Sequence, residues 1–321
     1  MNARLSSSPG AGVRERFVFQ DWLTKPDGEA GWASFFLARG YECYLIDQAF
    51  RGRSPWHPAT GNYRVFSAET VQHVWTRPED NLSSSSSWPG AKLHTQWTGS
   101  GTMGDAVFDG MYASMAPTLE DAVLQQTATQ VSCAKLLDRI GKPAILVGHS
   151  QGALIEWLVA DVRSHLVRAI VAIEPSGPPF AGMGAAGPRH NATAYGLTNA
   201  PLTYHPPIVD PMRDLVPKKV KANSGNLADV LLQADDNPPP RRLVNLTDIP
   251  MVVITGEASK HAMYDWGTVA FLKQAGVSRV EHVLLGERGV RGNGHMMMME
   301  KNSDQIAEVV HGWIKQFGGT S

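Results

Sequence analysis

Residues 148–152 read Gly148-His149-Ser150-Gln151-Gly152, directly after the apolar run AILV (144–147) and directly before ALIEWLVADV (153–162). A serine flanked by glycines at a strand-to-helix junction suits nucleophilic chemistry. The turn is tight enough to push the central residue into strained dihedrals, and side chains two positions away on either side would collide there; hence Gly148 and Gly152. Ser150 Oγ then stands clear of the sheet. The helix N-terminus offers backbone N–H groups and a favourable dipole to an oxyanion, the N–H of Gln151 first among them.

A hydroxyl is a poor nucleophile until a base takes its proton. Of the eleven histidines, His295 is the one placed for this: it follows VEHVLL (280–285) and sits in Gly292-Asn293-Gly294-His295, a loop that glycine makes mobile, ahead of the last helix. His282 falls in the strand, His261 in or just before a helix, and His311 within the last helix, so none of them is expected to swing over Ser150. The base needs an acid to orient it. Glu174 ends RAIVAI (168–173) and is followed by Pro175; Glu257 follows PMVVIT (250–255) in Gly256-Glu257-Ala258-Ser259. Both stand at the carboxyl end of a strand, and both stay open on position alone; Asp265 is further off.

Such groups must be carried by regular elements. Strands are expected at 41–46, 144–148, 168–173, 250–255 and 280–285, and helices at 119–140, 153–162, 262–275 and 303–317. Apolar β-branched runs without alternation, separated by helices, specify a mostly parallel sheet covered on both faces, an α/β class. Residues 177–247, rich in Gly, Pro and Asn and containing Pro238-Pro239-Pro240, read as a lid inserted over the carboxyl ends of the strands, within one domain spanning 1–321.

Composition sets bounds. With 43% hydrophobic and 18% charged residues among 321, a sizeable core can form; Lys+Arg 29 against Asp+Glu 30, without a basic block, argues against nucleic acid as the main partner. No run of eighteen apolar residues exists, so no membrane span is expected. Cys43 and Cys133 cannot form a disulfide framework and read as ordinary buried thiols. Residues 1–16 lack the apolar core of a secretory leader, which gives a cytoplasmic expectation. The sequons at Asn81, Asn191 and Asn245 then read as chance.

The elbow GHSQG, the strand-end segment AIEPSGPPF (172–180) and the late loop GVRGNGHMMMMEKNS (289–303) resemble the α/β-hydrolase superfamily, in particular a subgroup of serine esterases whose triad acid is a Glu after the sixth strand. GWASFFLARGYECYLIDQAFRGRS (31–54) and HTQWTGSGTMGDAVFDGMYAS (94–114) are similar to the same subgroup, so the resemblance spans about residues 25–315. It implies an α/β-hydrolase fold, hydrolysis of a small-molecule carboxylic ester without metal or organic cofactor, and a triad of Ser150, His295 and Glu174, with Glu257 the alternative acid. The sequence departs from that pattern ahead of Gly31. Members carry two or three strands and a His-Gly loop there, which supplies the second oxyanion donor; here about thirty residues stand in that place, with ERFVFQ (15–20) the one short strand candidate. A shortened N-terminal edge is therefore expected, from a chain either incomplete at that end or degenerate. The competing function is a non-catalytic binding protein of the same fold that lacks a complete oxyanion hole.

Other motifs fit less well. Gly99-Ser100-Gly101-Thr102-Met103-Gly104 has the dinucleotide spacing but no strand before it, and reads as a loop near the mouth of the site. Met296 to Met299 read as packing behind His295. Neither H-E-x-x-H nor C-x-x-C occurs, so zinc hydrolysis has no support. Phe180, Tyr195, Tyr204 and Trp266 are the expected apolar walls of the substrate pocket.

Overall fold

A computed structural model describes residues 20–81, 87–184, 187–190 and 193–317; the strand candidate at 15–20 lies outside them except for Gln20. In chain order the main helices are α1 (Trp32–Leu37), α2 (Ala106–Ser114), α3 (Ala122–Ile140), α4 (Gln151–Val162), α5 (Asp265–Gln274) and α6 (Ser303–Ile314). The central sheet is made of β1 (Ala144–His149), β2 (Val167–Ile173), β3 (Met251–Thr255) and β4 (Val280–Leu284). Its order is β4-β3-β2-β1, and all neighbours run parallel.

Local sequence sets the element ends. Asp105 caps α2 by accepting from Val107 and Phe108 N–H, and Asp121 caps α3 by accepting from Leu124 N–H at 2.9 Å. Gly141, at φ 69°, closes α3 in the left-handed conformation just ahead of β1. The two middle strands are apolar throughout because both of their faces are covered. Ile170, Ala172, Met251 and Val253 pack with Leu137 of α3, Leu154 and Trp157 of α4, and Phe271 and Leu272 of α5. Ala169, Val171, Ile173, Val252 and Ile254 pack the other way, with Trp32 of α1, Phe108 and Met111 of α2, and Ile306, Val310 and Trp313 of α6. The result is three layers with the sheet in the middle.

Two expectations fail at one side of this sheet. Among the described residues, 41–46 pair with no strand, and β1, expected to be buried, has partly open residues and Val147 38% exposed. The physical reason is shared. Among the described residues β1 has a hydrogen-bonded neighbour only in β2, and the 41–48 segment runs across a cleft from it. The apolar side chains of both segments border open space; Tyr44 is 49% and Ile46 47% exposed. Cys43 and Cys133 line the same cleft and are free and half-buried rather than core thiols.

Between β2 and β3 the 177–247 stretch forms short antiparallel pairs: Ala181–Gly184 with Gly187–His190, Pro217–Val220 with Val230–Gln233, and Tyr204–His205 with Arg242–Leu243. Among the described residues, no helix is long and apolar enough to cross a membrane.

Candidate active site

Each of the four strands delivers reactive groups at its carboxyl end. β1 ends in the elbow. Ser150 sits at φ 54°, ψ −119°, a region that costs a non-glycine residue energy and that only surrounding structure can enforce. Here the turn is held by Ser150 N–H donating to Ile173 O of β2 (2.9 Å) and by Ser150 O accepting from Ala153 and Ser176 N–H. A Cβ on Gly148 would lie 2.8 Å from Ala153 N and from Glu156 Cδ, so glycine is required there. The matching expectation for Gly152 is corrected: a Cβ there would meet only Gln48 Nε2, at 3.7 Å, because this side of the elbow faces the cleft. Gln151 opens α4, so its N–H belongs to the first turn and has no intrahelical acceptor. Its side chain is fixed separately, donating to Gln125 Oε1 at 2.7 Å and accepting from Arg51 Nη1 at 3.3 Å.

β2 ends at Glu174, whose own φ of 43° turns the chain sharply and aims a fully buried carboxylate at the neighbouring strand ends. Its Oε1 accepts from Gly256 N–H (2.8 Å), and its Oε2 accepts from Ser259 Oγ (2.7 Å). The same Oε2 lies 2.6 Å from His295 Nδ1. Glu257, the alternative acid, turns away: it pairs with the exposed Arg291 (2.8 Å) and accepts from Gly292 N–H (3.0 Å).

His295 follows β4. Its loop is not loose, as the glycines suggested, but buried and tied. Glu300 accepts from Gly294 N–H (3.0 Å) and Asn293 Nδ2 (2.7 Å) and pairs with His94 Nε2 (2.8 Å). Asn293 and Asn302 bond reciprocally, and His149 Nε2 donates to His295 O at 2.9 Å. Met297, Met298 and Met299 are buried in the core behind the loop.

Electrostatics follow from this burial. Desolvation holds the His295 imidazole well below its usual pKa, and the charge of His261 adds to that, so the ring is neutral and free to accept a proton. Burial pushes the Glu174 carboxyl up to about 7, against the opposing pull of His261, Ser259 and the Gly256 N–H. For His94, burial disfavours the charge, but Glu300 and Glu79 outweigh it and raise the pKa to about 9.

Ser150, Gln151, His149 and His295 line one cleft of about 1460 Å³, together with Trp75, Met111, Met115, Met296 and Tyr264. The expected walls are elsewhere. Phe180 packs on Phe271 in the core, Tyr204 donates to Tyr195 O, and Trp266 Nε1 donates to Ala228 O; none of the four lines the cleft. The 99–104 loop does not line it either. What the sequence reading missed is the support: Ser259, His261, Asp265, Glu300 and His94. The dense run of polar residues at 293–302 was the one visible signal for part of it.

A parallel sheet with a strained serine after one strand and an acid–histidine pair after two others defines the class, and sequence comparison agrees. The model of the alpha/beta hydrolase family matches residues 9–309, and the chain belongs to that family. It is 43% identical over 296 residues, covering 92% of this chain and 78% of the other, to a protein of Fungal sp. (strain ATCC 74256) named probable secreted lipase phiG. The solved structure of a novel bacterial esterase superposes with a TM-score of 0.58 at 18% identity, covering 94% of this chain and 79% of that one, a likeness of fold. The cytoplasmic expectation is overturned by the first of these relatives, which is named as secreted; the lack of an apolar run in residues 1–16 was too weak a ground for it.

Proposed function

We propose that the chain is a carboxylic ester hydrolase that works through an acyl-enzyme on Ser150. Ser150 Oγ attacks the acyl carbon as its proton passes to His295 Nε2. Glu174 stabilises the imidazolium through Nδ1–H, and the Gln151 N–H receives the oxyanion. The C–O bond to the alcohol then breaks, and His295 returns the proton to the departing alkoxide. Water, deprotonated by the same imidazole, releases the acid and restores Ser150. The observation that carries this reading is the 2.6 Å contact between Glu174 Oε2 and His295 Nδ1, which leaves Nε2 unclaimed by the acid on a ring that lines the same cleft as Ser150. The apolar side of the cleft suits the hydrocarbon part of the ester, and we assign the 177–247 stretch the role of a lid on the basis of its place between β2 and β3.

A second reading, a binding protein of this fold without turnover, has one observation in its favour. Near Gln151, Gln48 Oε1, Arg51 Nε and Gln125 Nε2 are buried and find no hydrogen-bond partner among the described residues, so a polar molecule held without turnover would find unmet groups there. Fluorophosphonate labelling with p-nitrophenyl butyrate turnover, with Ser150→Ala as the blank, separates the two. Labelling and turnover that vanish in the variant support the esterase; a folded protein that neither labels nor turns over favours the binding reading.

A further inference from the structure

The mechanism leaves one buried imidazole unused. His261 follows β3 in the short helical turn Lys260–Met263. Its ring lies flat on that of His295, with centroids 4.7 Å apart and an angle of 7° between planes. Its Nδ1 is 3.0 Å from Asp265 Oδ1, and Asp265 Oδ2 accepts from Thr255 Oγ1 at 2.7 Å. Ligand atoms of Glu174, His261 and His295 all lie within 4.8 Å of one another. The backbone closes the circuit: His261 N–H donates to Ser259 Oγ, which itself donates to Glu174.

We propose that His261 is a positioning residue for the hydrolysis, acting with Asp265 as a second histidine–acid pair that holds the ring of His295 in plane and supplies the positive charge beside Glu174. The inference rests on the esterase reading above. The geometry separates two contributions. The flat stack limits how the His295 ring can tilt when its bond to Glu174 is strained during proton transfer. The charge answers a different need. Glu174 is fully buried, and two N–H or O–H donors besides His295 offset only part of the cost of ionising it. A cation within 5 Å, itself anchored by Asp265, offsets more.

The groups facing His261 fix the sign. From its own turn and the start of α5 come Lys260, Tyr264 and Asp265; from the end of β2, Glu174; from the late loop, His295; from the elbow, His149; and, through Thr255, His282 of β4. Burial disfavours charge on His261, but Asp265 and Glu174 outweigh it, so the ring titrates above its usual value. A protonated His261 favours ionised Glu174 and disfavours protonated His295. Removing the charge makes Glu174 keep its proton, and His295 gain one, at higher pH. Both changes move the acid limb of the activity profile in the same direction, upward.

The test is the pH dependence of kcat/KM for p-nitrophenyl butyrate, with active sites counted by fluorophosphonate titration. His261→Phe keeps a flat ring and loses the charge; Asp265→Asn is isosteric and leaves the imidazole without its anion. We expect the acid limb of His261→Phe to move up by about one pH unit, so that activity at a pH on the parent's limb falls about tenfold, while the alkaline plateau stays within about threefold of the parent; Asp265→Asn should move it less, since it also relieves Glu174 of a neighbouring anion. A purely structural role would lower the plateau or the titratable fraction and leave the limb in place. An unmoved limb in His261→Phe, or in His261→Gln where Phe is not accommodated, overturns the proposal. A parent that turns over while the limb stays unmoved defeats this inference alone; a parent without turnover defeats it together with the esterase reading.

Discussion

At the carboxyl ends of β2, β3 and β4, buried acids and imidazoles have partners on several sides: Glu174 meets Gly256, Ser259 and His295, Glu300 meets Gly294, Asn293 and His94, and Asp265 meets Thr255 and His261. Along the outer side of β1 the pattern is opposite. Glu156, one turn into α4 behind the elbow, is buried with neither carboxylate oxygen bonded among the described residues, and Gln48, Arg51 and Gln125 each leave one buried polar atom unanswered. A polar group buried without a partner costs on the order of 1–3 kcal/mol. At Glu156 burial drives the pKa well above the usual carboxylate range, which favours the neutral acid over an unpaired anion. One side of the sheet thus holds buried acids and imidazoles in fixed places, where chemistry can use them; the other side buries polar groups without partners.

That contrast is sharpest in the two candidate acids. Glu174→Gln leaves the shape of the site and removes the anion behind His295, so kcat should fall by about 10⁴-fold. Glu257→Gln removes a surface pair with Arg291, whose side chain is 70% exposed, and turnover should stay within about threefold. The reverse result would transfer the acid's role to Glu257. The pH profile follows from the same region. Under the proposed mechanism activity needs Glu174 ionised and His295 neutral. With the Glu174 carboxyl raised to about 7 by burial, kcat/KM should be lost as pH falls through about 7, by about tenfold per pH unit below it. A profile flat down to pH 5 would show that the pair holds its charge more strongly than burial suggests.

The same two regions divide what was legible in the sequence. The order of the strands and helices from 119 onward, and the placing of Ser150, Glu174 and His295 at strand ends, could be read from apolar runs and glycine spacing, because these elements are covered on both faces and sequence periodicity reports coverage. The irregular 41–46 segment could not be read. YECYLI carries the residues of a strand, but a strand is defined by its neighbour, and none of the described residues pairs with it. His261 was passed over because it lies in a helical turn, where periodicity gives no hint that its ring stacks on a histidine thirty-four positions later. The pocket walls failed for a related reason: aromatic type marks burial without saying whether a side chain faces core or cleft, and Phe180 and Tyr204 face the core.

The late loop offers an intermediate test. His94 is charged between Glu300 and Glu79, with its pKa raised from 6.5 to about 9. A base whose folded pKa is raised lends stability that is complete below 6.5 and is lost as pH rises through about 9, here on the order of 3 kcal/mol. Urea midpoints at pH 7 and 10 should therefore fall further in the parent than in Glu300→Gln. The variant should also lose turnover at pH 7, because glutamine replaces one of the two oxygens that accept from Gly294 and Asn293 with an NH2 donor. An equal fall in parent and variant would mean that Glu300 does not hold the charge on His94.

Glu156→Gln probes the other side, and its effect should be the smallest. The sign is opposite to that of His94. An acid whose folded pKa is raised lends stability that is present below about 4.5 and is lost as pH rises, since the unfolded chain releases its proton to water and the folded one cannot. Glutamine does not titrate, so parent and variant should unfold alike near pH 4.5, and the variant should be the more stable at pH 8. Turnover should stay within about twofold, as Glu156 touches none of the reacting groups. A difference between parent and variant that stays flat between pH 4.5 and 8 would mean that Glu156 ionises freely, and the outer side of β1 would then resemble the side of Glu174 and His295 in carrying charge, with water in place of protein donors.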